Sequence, residues 1–398
     1  MNVLHVITGL NVGGAETMLA KLLETQGGAF GRATVVSLAE PGVIAPRIRA
    51  CARLETIGMR EGVPSLLAAY RLARLTRMIN PDLVIGWMHH GNLAASFAAA
   101  TMRHVPPVIW NVRHSVADIA SEKPLTRLVL RLGAMLSGTP DAIVYNSAVA
   151  AAQYRGLGYD PSHTLVIPNG FDCDRYRPRA DARESVRRQL RVHPEATLVG
   201  MIARLHPMKD PFTLIEAVRR AKGVGADIHL LLAGQGMDRP PPELIRALEA
   251  ALPPERLTLL GQCNDLPELM PGLDVLALPS AWGEGFPNTI AEAMASGVPC
   301  LATDVGDSGW IVGQTGRVVA PRDAEGMAAA LLDLVSLGEE GRRQLGLAAR
   351  QRVIDNFALS EIGARFSTLY HYVVRHCRDA QPNEPHRPFP ILYGGARP

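Results

Sequence analysis

The chain has 398 residues, 47% of them hydrophobic and 20% charged, which is enough for two ordinary domains with sizeable cores. A formal net charge of +3 excludes the basic surplus that nucleic-acid binding demands, so no nucleic-acid partner is expected. Five scattered cysteines (Cys51, Cys173, Cys263, Cys300, Cys377) without a C-x-x-C pair argue against a disulfide frame or a structural zinc site and for reduced thiols in a cytoplasm. The opening MNVLHVIT has no basic lead-in and too short an apolar run for a signal peptide, and no apolar run reaches membrane-spanning length. The expectation is a cytoplasmic protein, touching the inner face of the plasma membrane at most from its surface.

Strand-like and helix-like runs alternate from the start. Val3 to Thr8 reads as a buried strand, followed by a glycine-containing turn and a helix from Ala15 to about Gln26. Strands follow at 33–38, 82–87, 107–111, 141–145 and 164–167, with helices at 64–79, 91–102, 123–137 and 147–156. This βα alternation predicts a parallel sheet covered on both faces. The polar, proline-punctuated stretch 175–194 reads as a linker with a short charged helix inside it. A second α/β series then begins, with strands at 197–202, 227–233, 257–260, 274–278 and 299–302 and helices at 211–222, 242–252 and 287–296. Helices at 323–336, 339–354 and 360–376 close the fold, and the Pro- and Gly-rich residues 378–398 read as a disordered tail. Ligands of two such halves are expected beside the C-terminal ends of the strands.

Several constellations fall at those strand ends. Glu284 precedes Gly285 and Pro287, which suit a loop entering a helix, and Gly297 suits the helix stop. Glu292 lies about one and a half turns inside that helix. Two carboxylates around a helix N-terminus can accept hydrogen bonds from sugar hydroxyls while the helix tip attracts a phosphate. Arg204 and Lys209 follow the strand at 197–202 and can clamp a pyrophosphate and stabilise a departing diphosphate without a metal. Gly13 and Gly14 open the first helix, where backbone can approach a ligand closely. His114 follows the strand at 107–111 and can bond a sugar hydroxyl or move a proton; which of Arg113 and His114 faces inward is left open. His89 and His90 read more simply as residues capping a helix. Asp172-Cys-Asp174 reads as structural, and no metal ligand set is expected.

Lys123, Arg127 and Arg131 repeat at helical spacing beside Leu128, Leu132, Met135 and Leu136, and Arg71, Arg74 and Arg77 form a looser group. Such faces suit either an anionic bilayer or plain solvation. The 172 N-terminal residues carry 15 Lys+Arg against 11 Asp+Glu, the remainder 26 against 27, so the excess positive charge lies in the first half.

The spellings GLNVGGAE, IPNGFD, the Arg204/Lys209 pair, EGFPNTIAEAMASGVP and VGDSGWIVGQTG occur in the order found in glycosyltransferase family 4, and EGFPNTIAE resembles its E-x7-E motif. The resemblance covers roughly residues 1–376 and is closest to bacterial exopolysaccharide and capsule enzymes. It implies a GT-B fold, with two Rossmann-like domains whose parallel sheets face across a cleft and a C-terminal helix crossing back to the first. The implied divisions are 1–174 (acceptor), 175–194 (linker), 195–358 (nucleotide-sugar), 359–377 (crossover helix) and 378–398 (tail). It implies retaining transfer of a hexose or N-acetylhexosamine from a nucleotide-diphosphate sugar to a glycan or polyprenyl-linked acceptor, with no cofactor or metal. His114, Arg204, Lys209 and Glu284 are then the catalytic candidates. Gly13, Gly14, Arg204, Lys209, Cys263, Glu284, Gly285, Phe286, Pro287, Asn288, Thr289 and Glu292 are the donor-binding candidates. A silent nucleotide-sugar binder or a sugar epimerase of the same fold is the alternative. A NAD dehydrogenase is disfavoured, because Gly234-Gln-Gly236 lacks the third glycine of a dinucleotide fingerprint.

Overall fold

The computed structural model describes residues 1–11, 13–26, 31–59, 65–116, 118–263 and 265–379. The chain divides into two compact units: Met1–Gly170 with the segment beginning at Leu359, and Phe171–Ala358. The expected disordered tail lies outside the described residues, apart from its first two.

Unit 1 holds seven parallel strands: β1 (Asn2–Ile7), β2 (Arg32–Ser37), β3 (Arg53–Thr56), β4 (Leu83–Trp87), β5 (Val108–Val112), β6 (Ala142–Tyr145) and β7 (Thr164–Val166), in the order β3-β2-β1-β4-β5-β6-β7. Every position of β4 and β5 is buried, because helices cover both faces of the sheet and leave no solvent side for polar residues. The strand order reverses between β1 and β4, the topological switch of a doubly wound sheet. The C-terminal helix Leu359–Asp379 belongs to this unit. It sets Ile362, Phe366, Leu369 and Val373 into the same core as Leu19 and Leu23 of the first helix, Gly14–Gln26.

Unit 2 holds β8 (Thr197–Ile202), β9 (Ile228–Ala233), β10 (Leu257–Leu260), β11 (Val275–Leu278), β12 (Cys300–Thr303) and β13 (Arg317–Val319), also parallel, in the order β10-β9-β8-β11-β12-β13. The structure corrects the reading of 175–194 as a linker. Its helix Ala182–Leu190 is part of unit 2, with Tyr176, Val186 and Val192 in the core, and the chain passes between units at Gly170 and Phe171 instead. The reason is a buried charge cluster. Asp274, just before β11, is 5% exposed at its side chain and pairs with Arg183, with Arg187 at 2.9 Å and with Arg342 at 3.7 Å, while accepting the Leu198 N–H at 2.8 Å. Part of the polar composition here, Arg183 and Arg187, belongs to this ion network and not to a solvated tether.

Short elements without a counterpart in the sequence reading include the helices Ala45–Cys51, Leu266–Leu269 and Ser308–Val312, and the strands β3 and β13. Both strands lie at sheet edges, are three or four residues long and lack a fully buried run, so they carry no apolar signal.

Asp274→Ala leaves Arg187 and Arg342 buried without their counter-ion. It is expected to lower the stability of unit 2 by about 3–5 kcal/mol in urea unfolding. A loss below about 1 kcal/mol would show that the cluster does not hold segment 175–194 in place.

Candidate functional site

A parallel sheet places the C-terminal ends of all its strands along one edge, and in unit 2 the loops leaving that edge are knitted together by backbone bonds. The loop after β8 donates from Leu205 N to Gln235 O (2.8 Å) of the loop after β9, and Gly234 N in turn reaches Gly261 O (3.0 Å) after β10. Ala281 N, after β11, donates to Met208 O (2.8 Å), and Asp307 N, after β12, donates to Gly285 O (2.8 Å). Thr303 Oγ1 at the end of β12 donates to Ser280 O at 2.6 Å. Five separate loops therefore form one backbone platform. Gly306 closes it: its φ is +64°, and a Cβ there would sit 2.5 Å from Glu284 O and 2.6 Å from Gly285 O. Only glycine allows that approach.

On this platform Lys209 Nζ lies 2.5 Å from Glu284 Oε1, and Ser280 Oγ donates to the same oxygen at 2.5 Å. Glu284 is buried and the Lys209 side chain is mostly covered. Lys209 is placed by a single 3-10 turn, Pro207–Lys209, capped by His206. One oxygen of Glu284 is thus anchored by protein, while Oε2 is bonded to no side chain among the described residues. An ammonium has three donors, and Glu284 takes one. Arg204 stands exposed on the same loop, paired with no carboxylate among the described residues.

The helix Asn288–Ala295 follows, with Pro287 at its N-cap and not inside its first turn. Its stop is as expected: Gly297 has φ +79°, and Val298 N returns to Ala293 O at 3.0 Å. Glu292 is half-buried, and burial first and then the neighbouring Glu292 carboxylate raise the pKa of Tyr176. The Phe286 side chain turns into the core, stacked on Phe171 at 6.0 Å and edge-on to Phe357 at 5.5 Å, so only its backbone faces the platform loops. Cys263 is half-buried and its thiol points back to Gly261 O at 3.6 Å; burial raises its pKa, which disfavours the thiolate. Thr289 is in the first turn of the helix.

The remaining candidates lie in unit 1. Gly13 O accepts from Thr17 N at 3.0 Å and so starts the first helix; a Cβ on Gly13 would meet the Glu16 carboxylate, whereas one on Gly14 would meet nothing within 4 Å. His114 is half-exposed, with Nε2 2.9 Å from Glu122 Oε1. Arg113 is the inward residue of the pair. It lies between Trp87 and Phe366, bonds Asn111 Oδ1 and Asn169 Oδ1, and burial pulls its pKa down to about 9, which still leaves it cationic at neutral pH. His89 is buried, with its ring against the Tyr154 hydroxyl at 3.3 Å, and burial lowers its pKa to about 3, so it is neutral. Asp172 Oδ1 accepts the N–H groups of Asp174 (3.0 Å) and Arg175 (2.9 Å), a turn of its own making.

Residues 12–175 match the family model described as Glycosyltransferase Family 4, and residues 196–336 match that of Glycosyl transferases group 1. The chain belongs to the family 4 glycosyltransferases. It is 26% identical over 265 residues to a UDP-Gal:alpha-D-GlcNAc-diphosphoundecaprenol alpha-1,3-galactosyltransferase of Escherichia coli, covering 64% of this chain and 65% of that protein. It is 31% identical over 288 residues to a D-inositol 3-phosphate glycosyltransferase of Rhodococcus jostii, covering 69% of this chain and 60% of that protein. The chain therefore spans less than two thirds of the length of both curated relatives. Among solved structures, HepE of Anabaena in complex with UDP superimposes with a TM-score of 0.77 at 22% identity, over 94% of this chain and 100% of that one. The fold is GT-B.

Gly306→Ala is expected to cost more than about 1 kcal/mol of stability, since it adds both a left-handed strain and a backbone clash. Thermal or urea unfolding reads this directly, and a wild-type midpoint would show that the platform tolerates the shift.

Proposed function

We propose that the chain is a retaining, metal-independent glycosyltransferase. It moves a hexose or N-acetylhexosamine from a nucleotide-diphosphate sugar, a UDP-sugar before a GDP-sugar, to a hydroxyl of a glycan or lipid-linked glycan in surface-polysaccharide synthesis. The observation that carries this reading is the Lys209–Glu284 pair on the unit 2 platform, beside an exposed Arg204 and a helix N-terminus. Glu284 offers Oε2 to the hexose hydroxyls. Lys209 and Arg204 take the charge that develops on the departing diphosphate, the task a metal performs elsewhere. The backbone of Gly285 and Asn288 lies along the phosphate edge, with Pro287 contributing no N–H, and Glu292 holds the ribose hydroxyls. In unit 1 His114, its ring fixed by Glu122, is assigned to the acceptor hydroxyl, and Gly13 and Gly14 to the ligand-facing turn. The UDP in complex with HepE and the diphosphoundecaprenol-linked sugar in the name of the E. coli relative support the same substrate classes.

Arg204→Ala should lower turnover with labelled UDP-sugar and a polyprenyl-diphosphate-linked acceptor by about 100-fold or more, with the unfolding midpoint unchanged. EDTA should leave the wild-type rate unchanged. Near-normal turnover of the variant would remove Arg204 from the chemistry, and donor consumption without acceptor product would overturn transfer.

The acceptor class and the surface of unit 1 point to an anionic bilayer. Helix Pro124–Leu136 exposes Leu128 (63%), Leu132 and Met135 (83%) beside Lys123, Arg127 and Arg131, which pair with no carboxylate among the described residues. Helix Leu66–Ile79 exposes Leu66 (91%), Tyr70 and Met78, and helix Met88–Ala100, which contacts both, exposes Phe97. No helix among the described residues is long and apolar enough to cross a membrane. Apolar side chains set among unpaired cations match a surface with lipid below and anionic headgroups above. Co-sedimentation with phosphatidylglycerol vesicles, lost in high salt and in Leu128→Glu/Met135→Glu, is the expected result. Equal recovery with neutral phosphatidylcholine vesicles would contradict it.

A further inference from the structure

At the N-terminal edge of the unit 2 sheet, the charge cluster around Asp274 opens into a cavity of about 390 Å³. Asp274 precedes β11 and Pro299 precedes β12, and both line it. It therefore lies at the opposite end of the strands from the loops that carry Arg204, Lys209 and Glu284. β8 alone, six residues long, sets the two edges roughly 20 Å apart. Four arginines, Arg179, Arg183, Arg342 and Arg343, line the cavity against two carboxylates, Asp274 and Glu339. The buried carboxylate is oversubscribed: Arg183 and Arg187 both bond it, and Arg342 Nη2 stands off at 3.7 Å. Arg342 is the unsatisfied member. It is 7% exposed, and its Nη1 donates to the carbonyls of Leu334 (3.3 Å) and Val335 (3.0 Å). Its Nε has no acceptor among the described residues, and its Nη2 has only the distant Asp274 carboxylate.

We propose that this cavity is a second anion site, built for the phosphate group of a small phosphorylated molecule and separate from the donor platform. A buried guanidinium with donors left over carries a desolvation cost that a ligand oxyanion removes. Nε and Nη2 form the edge of a guanidinium that meets two oxygens of a phosphate side by side, a geometry that lysine does not offer. Arg343 follows Arg342 in helix Gly338–Phe357, and Arg179 stands just before helix Ala182–Leu190. Their carboxylate partners, Glu340 for Arg343 and Asp181 and Glu268 for Arg179, do not line the cavity, so both add positive charge to its wall. Both helices begin beside the cavity, where the positive ends of their dipoles favour an anion. The volume is that of a small-molecule site and not of a bare ion. No aromatic side chain lines it among the described residues, so it lacks a stacking face for a nucleobase, and its ligand is not a nucleotide.

The test is calorimetric titration of the whole protein with inorganic phosphate and with glycerol 3-phosphate, in a phosphate-free buffer of low ionic strength. The wild type should bind both saturably, glycerol 3-phosphate the tighter. Arg342→Gln and Arg343→Gln should each weaken that binding by about tenfold or more. Arg204→Ala, at the other edge of the sheet, should retain it. No saturable binding of either probe overturns the proposal. Binding that Arg204→Ala abolishes and Arg342→Gln leaves intact puts the phosphate on the donor platform alone and overturns it too. Equal affinities for the two probes assign the cavity to inorganic phosphate and overturn the esterified ligand. Should Arg342→Gln fail to fold, Arg343→Gln, whose side chain is exposed, carries the comparison: weaker binding supports the site and an unchanged affinity overturns it.

Discussion

The structure of unit 2 turns on one ion pair, Lys209 with Glu284, held at 2.5 Å where little water reaches. Neither charge would be stable there alone, because removing a carboxylate or an ammonium from water is costly without a partner. The pair also ties the loop after β8 to the loop after β11, so the two segments expected to meet a donor cannot drift apart. Its cost in desolvation is offset by Ser280, by the backbone bonds that fix both loops, and by the glycine that lets the β12 loop press against Glu284. A buried polar arrangement of this kind is stable only when nearly every group is satisfied, and that requirement specifies the geometry.

A second feature follows from the first. The first acid of the E-x7-E spelling, Glu284, has a protein hydroxyl on it, that of Ser280. Fixing one oxygen of a carboxylate turns a mobile acceptor into a directed one. The ligand then meets groups already in place, and less of the interaction is spent on ordering them. The cations follow another rule. Lys209 is held by its pair, whereas Arg204 remains exposed, and a guanidinium with free donors suits a diphosphate that arrives and leaves at each turnover.

The doubly wound sheets were legible because central strands such as LVIGW and VIWNV are apolar at nearly every position, and helices alternate with them at short spacing. A helix at 287–296 and its stop were legible from Pro287 and Gly297, and the structure bounds it at Asn288–Ala295. What stayed hidden was chemistry that depends on distant partners. Segment 175–194 looks like a tether in composition because its arginines are charged, and only the Asp274 cluster shows why Arg187 is buried and Arg183 half-buried. Arg350 donates to the Tyr176 carbonyl from 174 positions away, so no local pattern joins them. The choice between Arg113 and His114 was likewise undecidable from adjacent letters. It was settled by Trp87, Phe366 and Asn169, which come from three other segments.

The central claim is that the loops after β8 and β11 and the tip of helix Asn288–Ala295 form a nucleotide-diphosphate cradle. Amide hydrogen exchange of the whole protein with and without saturating UDP or GDP addresses it most directly. The account predicts slowed exchange in peptides covering 203–210 and 284–292, with the N-terminal edge of the same sheet, around 194–198 and 272–275, unchanged. Protection confined to other segments, or none with either nucleotide, would contradict it.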